Sequence, residues 1–317
     1  MMGIVLPSLI FIIAERLTRT DEIPELTEES TCITQQDIPT GLPLYSDKSI
    51  CVLLNDGIVR QFDLDEYVLG VLLGEMPAEF ETEALKAQAV AARTYALKRN
   101  TGGSKHKDGA VCTNPGCCQA YCSVEAYMQR GGTSDYVEKM RNAVVSTKGQ
   151  VLVYDGKLIE ATYFSCSGGK TEDALAVWGT DIPYLQAVTS PGEEKADYYS
   201  DNVKFSSKEF AAKLGIKATG KPSSWFGAVT YTEGDGVDNM VIAGKILKGT
   251  VIRTRLGLRS TAFSIRVDGD VITVSTRGFG HRVGMSQYGA DAMAVNGSDY
   301  KQILAHYYPG TALQIYT

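Results

Sequence analysis

Glu75 and the helix that follows it carry the side chains from which an acid-catalysed site can be built. Proline lacks an N–H and disfavours helical geometry in the residue before it, so Pro77 should end a helix that begins at Leu64 close to Glu75. Lys86 and Arg93 come seven residues apart on the next helix, within about 20° of each other on its surface. The pattern predicts an acid at a rigid corner beside two cations, unless Glu75 is a solvated glutamate at a helix end.

Three blocks of sequence stand out along the chain. They are EMPAEF (residues 75–80) with EALKAQA (83–89) and AARTY (91–95), then YFSCSGGKTE (163–172), then RGFGHRVGMSQYGA (277–290). Together and in this order they resemble the signature of the stage II sporulation protein D family, which is related to the amidase-enhancer wall proteins.

The resemblance implies a lytic transglycosylase of sporulation that cuts peptidoglycan glycan strands already stripped of their peptides. It also implies two partners, a sporulation amidase (stage II sporulation protein P-like) and a membrane protein (stage II sporulation protein M-like). The family further implies a single N-terminal membrane anchor, with the catalytic part outside the cytoplasmic membrane at the sporulation septum.

Glycosidic bond cleavage needs at least one carboxylic acid to protonate the leaving oxygen. Spacing does not show that Glu79 or Glu83 faces Glu75, so we expect Glu75 to act alone. A single acid suffices if the acetamido oxygen of the substrate stabilises the reacting carbon and the C6 hydroxyl attacks it, which gives a 1,6-anhydro end. The pKa of Glu75 must then rise from about 4.3 towards about 6, which burial would cause.

Several other side chains are candidate contacts to the sugars. Lys86 and Arg93 are expected to grip sugar oxygens and acetamido carbonyls rather than to touch Glu75. Aromatic faces and hydroxyls recognise sugars, so a second set is predicted, with turn or core packing as an equal alternative for each: Tyr163, Ser165, Ser167 and Tyr184. His281 should either line the groove or satisfy buried backbone. A thiol nucleophile formed by Cys166 with His281 is a further alternative, although no third orienting group can be named.

The chain has seven cysteines, an odd number, and four of them fall between Cys112 and Cys122. By the family resemblance, His106, Cys112, Cys117 and Cys118 match a zinc-binding loop, with cysteine at position 117 where the family usually has histidine. Tetrahedral zinc accepts mixed His and Cys ligands, and a full shell would make it structural. Disulfides remain the alternative in an oxidising exterior.

Composition and the N-terminus limit the class of protein. With 44% hydrophobic and 21% charged residues the chain is globular, and the net charge of −6 argues against a nucleic-acid partner. About a dozen apolar residues within the first 14 predict a signal segment or membrane anchor. The polar, acidic residues 15–49 predict a stem.

The order of predicted elements indicates an α+β fold. Hairpins are expected around Asn55-Asp56-Gly57, Asp155-Gly156 and Asp268-Gly269-Asp270, with helices between and after them. Residues 50–190 and 261–317 are expected to form the main lobe, and residues 191–260 a smaller second lobe. A non-catalytic, wall-binding activator of an amidase is the alternative function, because an activator would not need the acid at Glu75.

Overall fold

The computed structural model describes residues 33–34, 48–194 and 196–316. The predicted anchor at residues 1–14 and nearly all of the predicted stem lie outside them. The helices are α1 (Leu64–Glu75), α2 (Thr82–Thr101), α3 (Val124–Gln129), α4 (Ser134–Ser146), α5 (Ala174–Trp178), α6 (Ser207–Leu214), α7 (Gly249–Leu256), α8 (Gln287–Val295) and α9 (Tyr300–Tyr307), with short 3-10 turns at Lys107–Gly109 and Pro222–Ser224.

The strands are β1 (Ile33–Thr34), β2 (Ser49–Leu53), β3 (Val59–Asp63), β4 (Val111–Cys112), β5 (Gln150–Tyr154), β6 (Lys157–Leu158), β7 (Tyr163–Phe164), β8 (Ser200–Ser206), β9 (Phe226–Tyr231), β10 (Val237–Ile242), β11 (Lys245–Lys248), β12 (Phe263–Asp268), β13 (Val271–Arg277), β14 (Met285–Ser286) and β15 (Ala312–Ile315). They form small, mostly antiparallel sheets in the orders β1-β3-β2-β4, β11-β10-β9, β12-β13-β8, β14-β7 and β15-β5-β6. The α+β class is confirmed.

Helices α1 and α2 form the centre of the main core. Asp63 caps α1 by accepting the N–H groups of Asp65 and Glu66, and the chain becomes extended at Met76, just before Pro77. Alanine recurs along α2, and nearly every residue from Ala84 to Leu97 is buried. Small side chains let α1, α4, α8 and α9 pack closely around α2, so the helix is enclosed rather than amphipathic.

The predicted hairpins form, and one predicted helix is divided. The residues expected to be helical from 123 to 140 give two helices, α3 and α4. Gly131 takes the left-handed φ of 92°, and the aromatic ring of Tyr127 lies where a Cβ on Gly132 would be. Ser123 and Thr133 cap the two helices separately.

A second hydrophobic core runs from Phe205 to Val274, with Phe210, Ile252 and Ile272 fully buried. It includes β12 and β13, which lie beyond the predicted lobe limit at residue 260. The reason is sheet pairing, because β13 pairs along its whole length with β8 and so belongs to the same packed layer. The described residues from position 33 onward belong to one compact unit. The division into two lobes therefore stays a prediction.

The two cores meet at a buried ion pair. Arg282 lies 3.3 Å from Glu172 and donates to the carbonyl oxygens of Ser167, Lys170 and Gly234. In the described part of the chain, no helix is both long and apolar enough to cross a membrane.

Candidate active site

Glu75 is the last residue of α1, and its carboxyl group is held from three sides. Ala120 donates its backbone N–H to Oε1 at 2.6 Å, and the side-chain amide of Gln287 lies 3.5 Å from Oε2. The hydroxyl of Tyr163 is a further donor near the carboxyl group and lowers the pKa of Glu75. Glu75 remains partly accessible to solvent, so a ligand can reach an acid whose position is fixed.

Burial raises the pKa of the Glu75 carboxyl above its ordinary value. The hydrogen bonds from Ala120, Gln287 and Tyr163 act in the opposite direction, because they favour the charged form, but desolvation is the larger effect. The direction is the one expected for a proton donor near neutral pH.

Strand pairing brings the three sequence blocks together at this carboxyl group. Strand β7 of the second block runs parallel to β14 at the start of the third, with Tyr163 opposite Met285 and Phe164 opposite Ser286. The Tyr163 hydroxyl and, two residues beyond Met285, the Gln287 amide can therefore reach Glu75 of the first block. Tyr163 is the one predicted sugar contact found at the acid itself.

Lys86 lies on α2 in a small polar cluster. Its ammonium group is 2.7 Å from Glu83 and 5.9 Å from the centre of the Tyr300 ring, and Glu83 also accepts the N–H of Tyr300. The side chain is partly exposed, so a role in sugar binding stays a prediction.

Arg93 lies in the core, which is a correction to the expected sugar contact. It is fully buried, 2.9 Å from Asp65, and donates to the carbonyl oxygens of Val144, Thr147 and Gln150. Helices α1 and α4 cover the part of α2 that carries Arg93. A substrate cannot reach a guanidinium group that is enclosed and already bonded.

Ser167 and Tyr184, two predicted sugar contacts with hydroxyl groups, are also buried in the protein. Ser167 is fully buried and donates to Glu193 at 2.7 Å, and Tyr184 is buried with its hydroxyl accepting the N–H of Glu160 at 3.0 Å. Neither is accessible to a sugar, so both match the core-packing alternative rather than the sugar contact. Ser165 differs, because it is partly exposed and its hydroxyl makes no hydrogen bond to the described residues.

Glu193, which the sequence did not single out, organises this scaffold. Oε2 of its buried carboxylate accepts four hydrogen bonds from residues 166–168. The donors are the N–H groups of Ser167 and Gly168, the Ser167 hydroxyl and the Cys166 thiol. The hydroxyls of Ser190 and Ser286 donate to Oε1 at 2.7 and 2.5 Å. A carboxylate with this many partners ties the second and third blocks together.

His281 and Cys166 do not form a nucleophile and base. Burial, then the charge of Arg253, lowers the pKa of His281 to about 4, and its Nδ1 accepts the backbone N–H of Val283. Burial raises the pKa of the Cys166 thiol, and the nearby Glu193 charge adds to this effect. A nucleophilic cysteine needs a lowered pKa, so the thiol alternative is contradicted. Of the two expectations for His281, satisfying buried backbone matches the structure.

The predicted metal ligands converge. The ligand atoms of His106, Cys112, Cys117 and Cys118 all lie within 4.8 Å of one another. Nε2 of His106 is 3.4 Å from the Cys117 sulfur and 3.5 Å from the Cys118 sulfur. Tetrahedral zinc needs four N and S donors at this kind of mutual separation. The six cysteines of the described residues are all free thiols. The donor set therefore fits a metal.

The sequence analysis missed two side chains near the acid, Gln119 and Gln287. Gln287 lies inside the third block, so its place in that motif was a usable signal. Gln119 directly follows the Cys117-Cys118 pair, and only the fold shows that it is buried against Tyr163.

The first block carries a desolvated acid, and Tyr163 and Gln287 of the other two blocks face it. Comparison with known sequences finds relatives of this chain among sporulation proteins. The family model SpoIID, described as Stage II sporulation protein, matches residues 55–154. The chain is 42% identical over 280 residues to Stage II sporulation protein D of Bacillus subtilis (strain 168), covering 87% of this chain and 79% of the relative. The corresponding protein of Bacillus amyloliquefaciens is also 42% identical, over 283 residues and the same shares.

A more distant relative is the Amidase enhancer of Bacillus subtilis (strain 168), 32% identical over 307 residues, which covers 78% of this chain and 40% of that protein. The chain belongs to the stage II sporulation protein D family.

Proposed function

We propose that the chain is a lytic transglycosylase that cuts peptide-stripped peptidoglycan glycan strands during sporulation, with Glu75 as the general acid. The observation that carries this proposal is the desolvated, partly accessible carboxyl group of Glu75, which three donors hold in place. Burial keeps its pKa raised, so it can hold a proton at a pH where an exposed glutamate is ionised.

The reaction follows from one carboxyl group. Glu75 gives its proton to the glycosidic oxygen as the bond from the muramic acid C1 to that oxygen breaks. The acetamido oxygen of the substrate stabilises the positive charge that develops at C1. The C6 hydroxyl of the same sugar then bonds to C1, and its proton returns to Glu75. The acid is restored, and no water is consumed.

The surroundings of Glu75 favour one acid over two. Within the described residues, the groups that shift its pKa are its own burial, one backbone N–H, one amide and one phenol, with no second carboxylate among them. Glu79 is exposed, and Glu83 is engaged by Lys86 and Tyr300. We propose Ser165, Tyr163 and Lys86 as the contacts to the sugars. Arg93, Ser167 and Tyr184 take no part.

The test uses the full-length protein on peptide-free glycan strands, with products measured by mass spectrometry. The parent should release oligosaccharides ending in 1,6-anhydro-N-acetylmuramic acid, one water lighter than hydrolysis products. Glu75→Gln fills the same space but donates no proton, so the rate should fall by about 10²- to 10⁴-fold. Glu79→Gln is the matched control and should cut like the parent.

The alternative is a non-catalytic activator of a cell-wall amidase, favoured by the relative named Amidase enhancer. If parent and Glu75→Gln both leave the glycan uncut and both stimulate a sporulation amidase equally, the activator proposal replaces the enzyme. If Glu75→Gln cuts as fast as the parent, Glu75 is not the acid.

We propose that His106, Cys112, Cys117 and Cys118 hold a structural zinc ion. Such an ion would supply folding energy rather than chemistry, because four protein ligands leave no open position. These residues would fix the turn at residues 112–118 against β2, with which β4 pairs. Elemental analysis should find about one zinc per chain, and Cys112→Ser should remove it and lower the melting temperature. Absence of both zinc and free thiols would favour disulfides.

We also propose that the protein is exported and held in the membrane by its N-terminal segment, with an amidase and a second membrane protein as partners at the septum. The support is the apolar run within residues 1–14 and the family membership. Fractionation of sporulating cells should find the full-length chain in membranes and accessible to added protease. Recovery in the cytosol would contradict this proposal.

A further inference from the structure

Gln119 is a fully buried amide placed between two tyrosine hydroxyls. Its Oε1 accepts from the Tyr67 hydroxyl at 3.2 Å, and its Nε2 donates to the Tyr163 hydroxyl oxygen at 2.9 Å. Nε2 also lies 3.4 Å from the carbonyl oxygen of Ala92. A carbonyl oxygen can only accept, so it fixes which end of the amide points towards Tyr163.

The direction of that hydrogen bond sets the direction of the next one. Because the Tyr163 oxygen already accepts a hydrogen bond from Gln119, its own hydroxyl proton is free to point elsewhere. The Glu75 carboxyl group, whose pKa the Tyr163 hydroxyl lowers, is the acceptor on that side. Burial, then the Glu75 charge, raises the pKa of the Tyr163 hydroxyl, so it remains a proton donor over the range in which Glu75 titrates. Tyr163 therefore acts as a donor to the acid.

Gln119 and Ala120 are neighbours in the chain, and each influences Glu75 through a different contact. Ala120 donates its N–H directly to Oε1 at 2.6 Å, and Gln119 acts through the Tyr163 hydroxyl. Oε1 is occupied by this short bond, whereas Gln287 is 3.5 Å from Oε2. The proton of the neutral acid belongs on the oxygen that is held less tightly, Oε2.

We propose that Gln119 is a positioning residue for Glu75: it orients the Tyr163 hydroxyl as a donor to the carboxyl group and, with Ala120, leaves Oε2 as the oxygen that delivers the proton. Gln119 touches neither substrate nor reacting atoms. The proposal rests on the proposed role of Glu75 as the acid, but the hydrogen-bond relay can be measured without substrate.

The matched control is Gln88, a second fully buried glutamine, on α2. Neither its Nε2 nor its Oε1 has a hydrogen-bond partner among the described residues. Methionine has nearly the same length as glutamine and no amide, so Gln119→Met and Gln88→Met make the same chemical change at a connected and an unconnected site.

The experiment measures the titration of Glu75 in the full-length protein by carbon-13 NMR of the labelled carboxyl, with Glu75→Gln to assign the signal. Loss of a donor to the charged form raises a carboxyl pKa, so Gln119→Met should shift the midpoint upward by about one unit and Gln88→Met should not. The titratable groups facing this site are Tyr163 and Tyr67, and behind Tyr67 lie Tyr95, Cys112 and Cys118. All five are present in both variants.

Tyr163→Phe shows whether Gln119 acts through the tyrosine. It should give the same upward shift, and the double variant with Gln119→Met should shift no further, because the second change removes a contact already lost. In Gln119→Met the high-pH limb of kcat should move with the NMR midpoint while KM stays within about twofold, since Gln119 itself makes no sugar contact.

An unchanged midpoint in Gln119→Met, or additive shifts in the double variant, would overturn the proposal. If Gln119→Met does not fold, Tyr67→Phe decides it, because removing the hydroxyl that anchors Oε1 should give a smaller shift in the same direction and no shift would refute the relay. If the midpoints move as expected but the parent cuts no glycan, the relay stands and the transglycosylase proposal fails.

Discussion

Glu75 and Glu193 are two desolvated glutamates whose surroundings differ in one decisive respect. Glu193 accepts six hydrogen bonds, from two backbone N–H groups, three hydroxyls and a thiol, and is closed to solvent. Glu75 has three donors, one of them distant, and is partly accessible. A carboxyl group enclosed by this many donors is part of the scaffold. One with burial but few donors can exchange a proton.

The comparison also separates residues within one motif. Of the second block, Tyr163 reaches Glu75, whereas Cys166, Ser167 and Gly168 all bind Glu193. Of the third block, Gln287 faces Glu75 and its neighbour Ser286 faces Glu193. The second block therefore supplies one residue near the acid and three to Glu193, and the third block supplies one to each.

Removing the scaffold carboxylate should have the largest effect on stability. Glu193→Ala leaves two backbone N–H groups and several side-chain donors buried without an acceptor, so the free energy of unfolding should fall by about 5 kcal/mol or more. Glu75→Ala should cost less than about 2 kcal/mol, because Glu75 is partly accessible and fewer donors lose their acceptor than at Glu193. Urea unfolding at neutral pH measures both. Equal losses of unfolding free energy in the two variants would contradict the difference between Glu193 and Glu75.

Lys86 and Arg93, two cations of α2, should also differ in their contributions to stability. Arg93→Ala leaves the buried Asp65 without its partner, and we expect a loss of about 3–5 kcal/mol. Lys86→Ala removes a partly exposed pair with Glu83, worth at most about 1 kcal/mol. Urea titrations of the two variants give the comparison. A stable Arg93→Ala protein with impaired sugar binding would show that Arg93 belongs to the site after all.

Acid titration should reveal His281 as part of the scaffold. Its pKa falls from 6.5 to about 4 on folding, mainly through burial, so its contribution to stability is present above pH 6.5 and is lost as the pH falls towards 4. Allowing for partial exposure, the loss should be about 2 kcal/mol. In His281→Gln the difference in free energy of unfolding between pH 7 and pH 4 should be smaller by that amount. An unchanged difference would mean that another group carries the dependence.

Glu75 should have the smallest effect on the pH dependence of stability, and its effect should have the opposite sign to that of His281. Its pKa is raised on folding, so its contribution is favourable below the unfolded value of 4.5 and is lost as the pH rises through the folded value. Relative to Glu75→Gln, the parent should lose stability as the pH rises from 4 to 8. Its rate of glycan cleavage should decline over the same pH range. Parallel stability curves for parent and variant would contradict a raised pKa.

The sequence predicted the local elements well, because their signals lie within a few residues. Helix α1 ends just before Pro77, and Asp155 and Gly156 form their turn with positive φ angles. The candidate metal ligands were also predicted as a group, because His106 and the three cysteines are close in the chain. The division of α3 from α4 was missed because helical periodicity continues across Gly131.

Burial was decided only by the tertiary structure. Sequence gives the type and spacing of Arg93, Ser167 and Tyr184, but whether each faces a groove or the core depends on which helices and strands pack against it. Gln119 is 44 residues from Tyr163, and Gln287 is 212 residues from Glu75, so their contacts arise only when β7 pairs with β14 and the cysteine-bearing segment packs behind α1. The sequence determined which acid stands at the corner. The fold determined how strongly it is desolvated and which donors hold it, because the pKa of a carboxyl group depends on neighbours that the chain brings together only by folding.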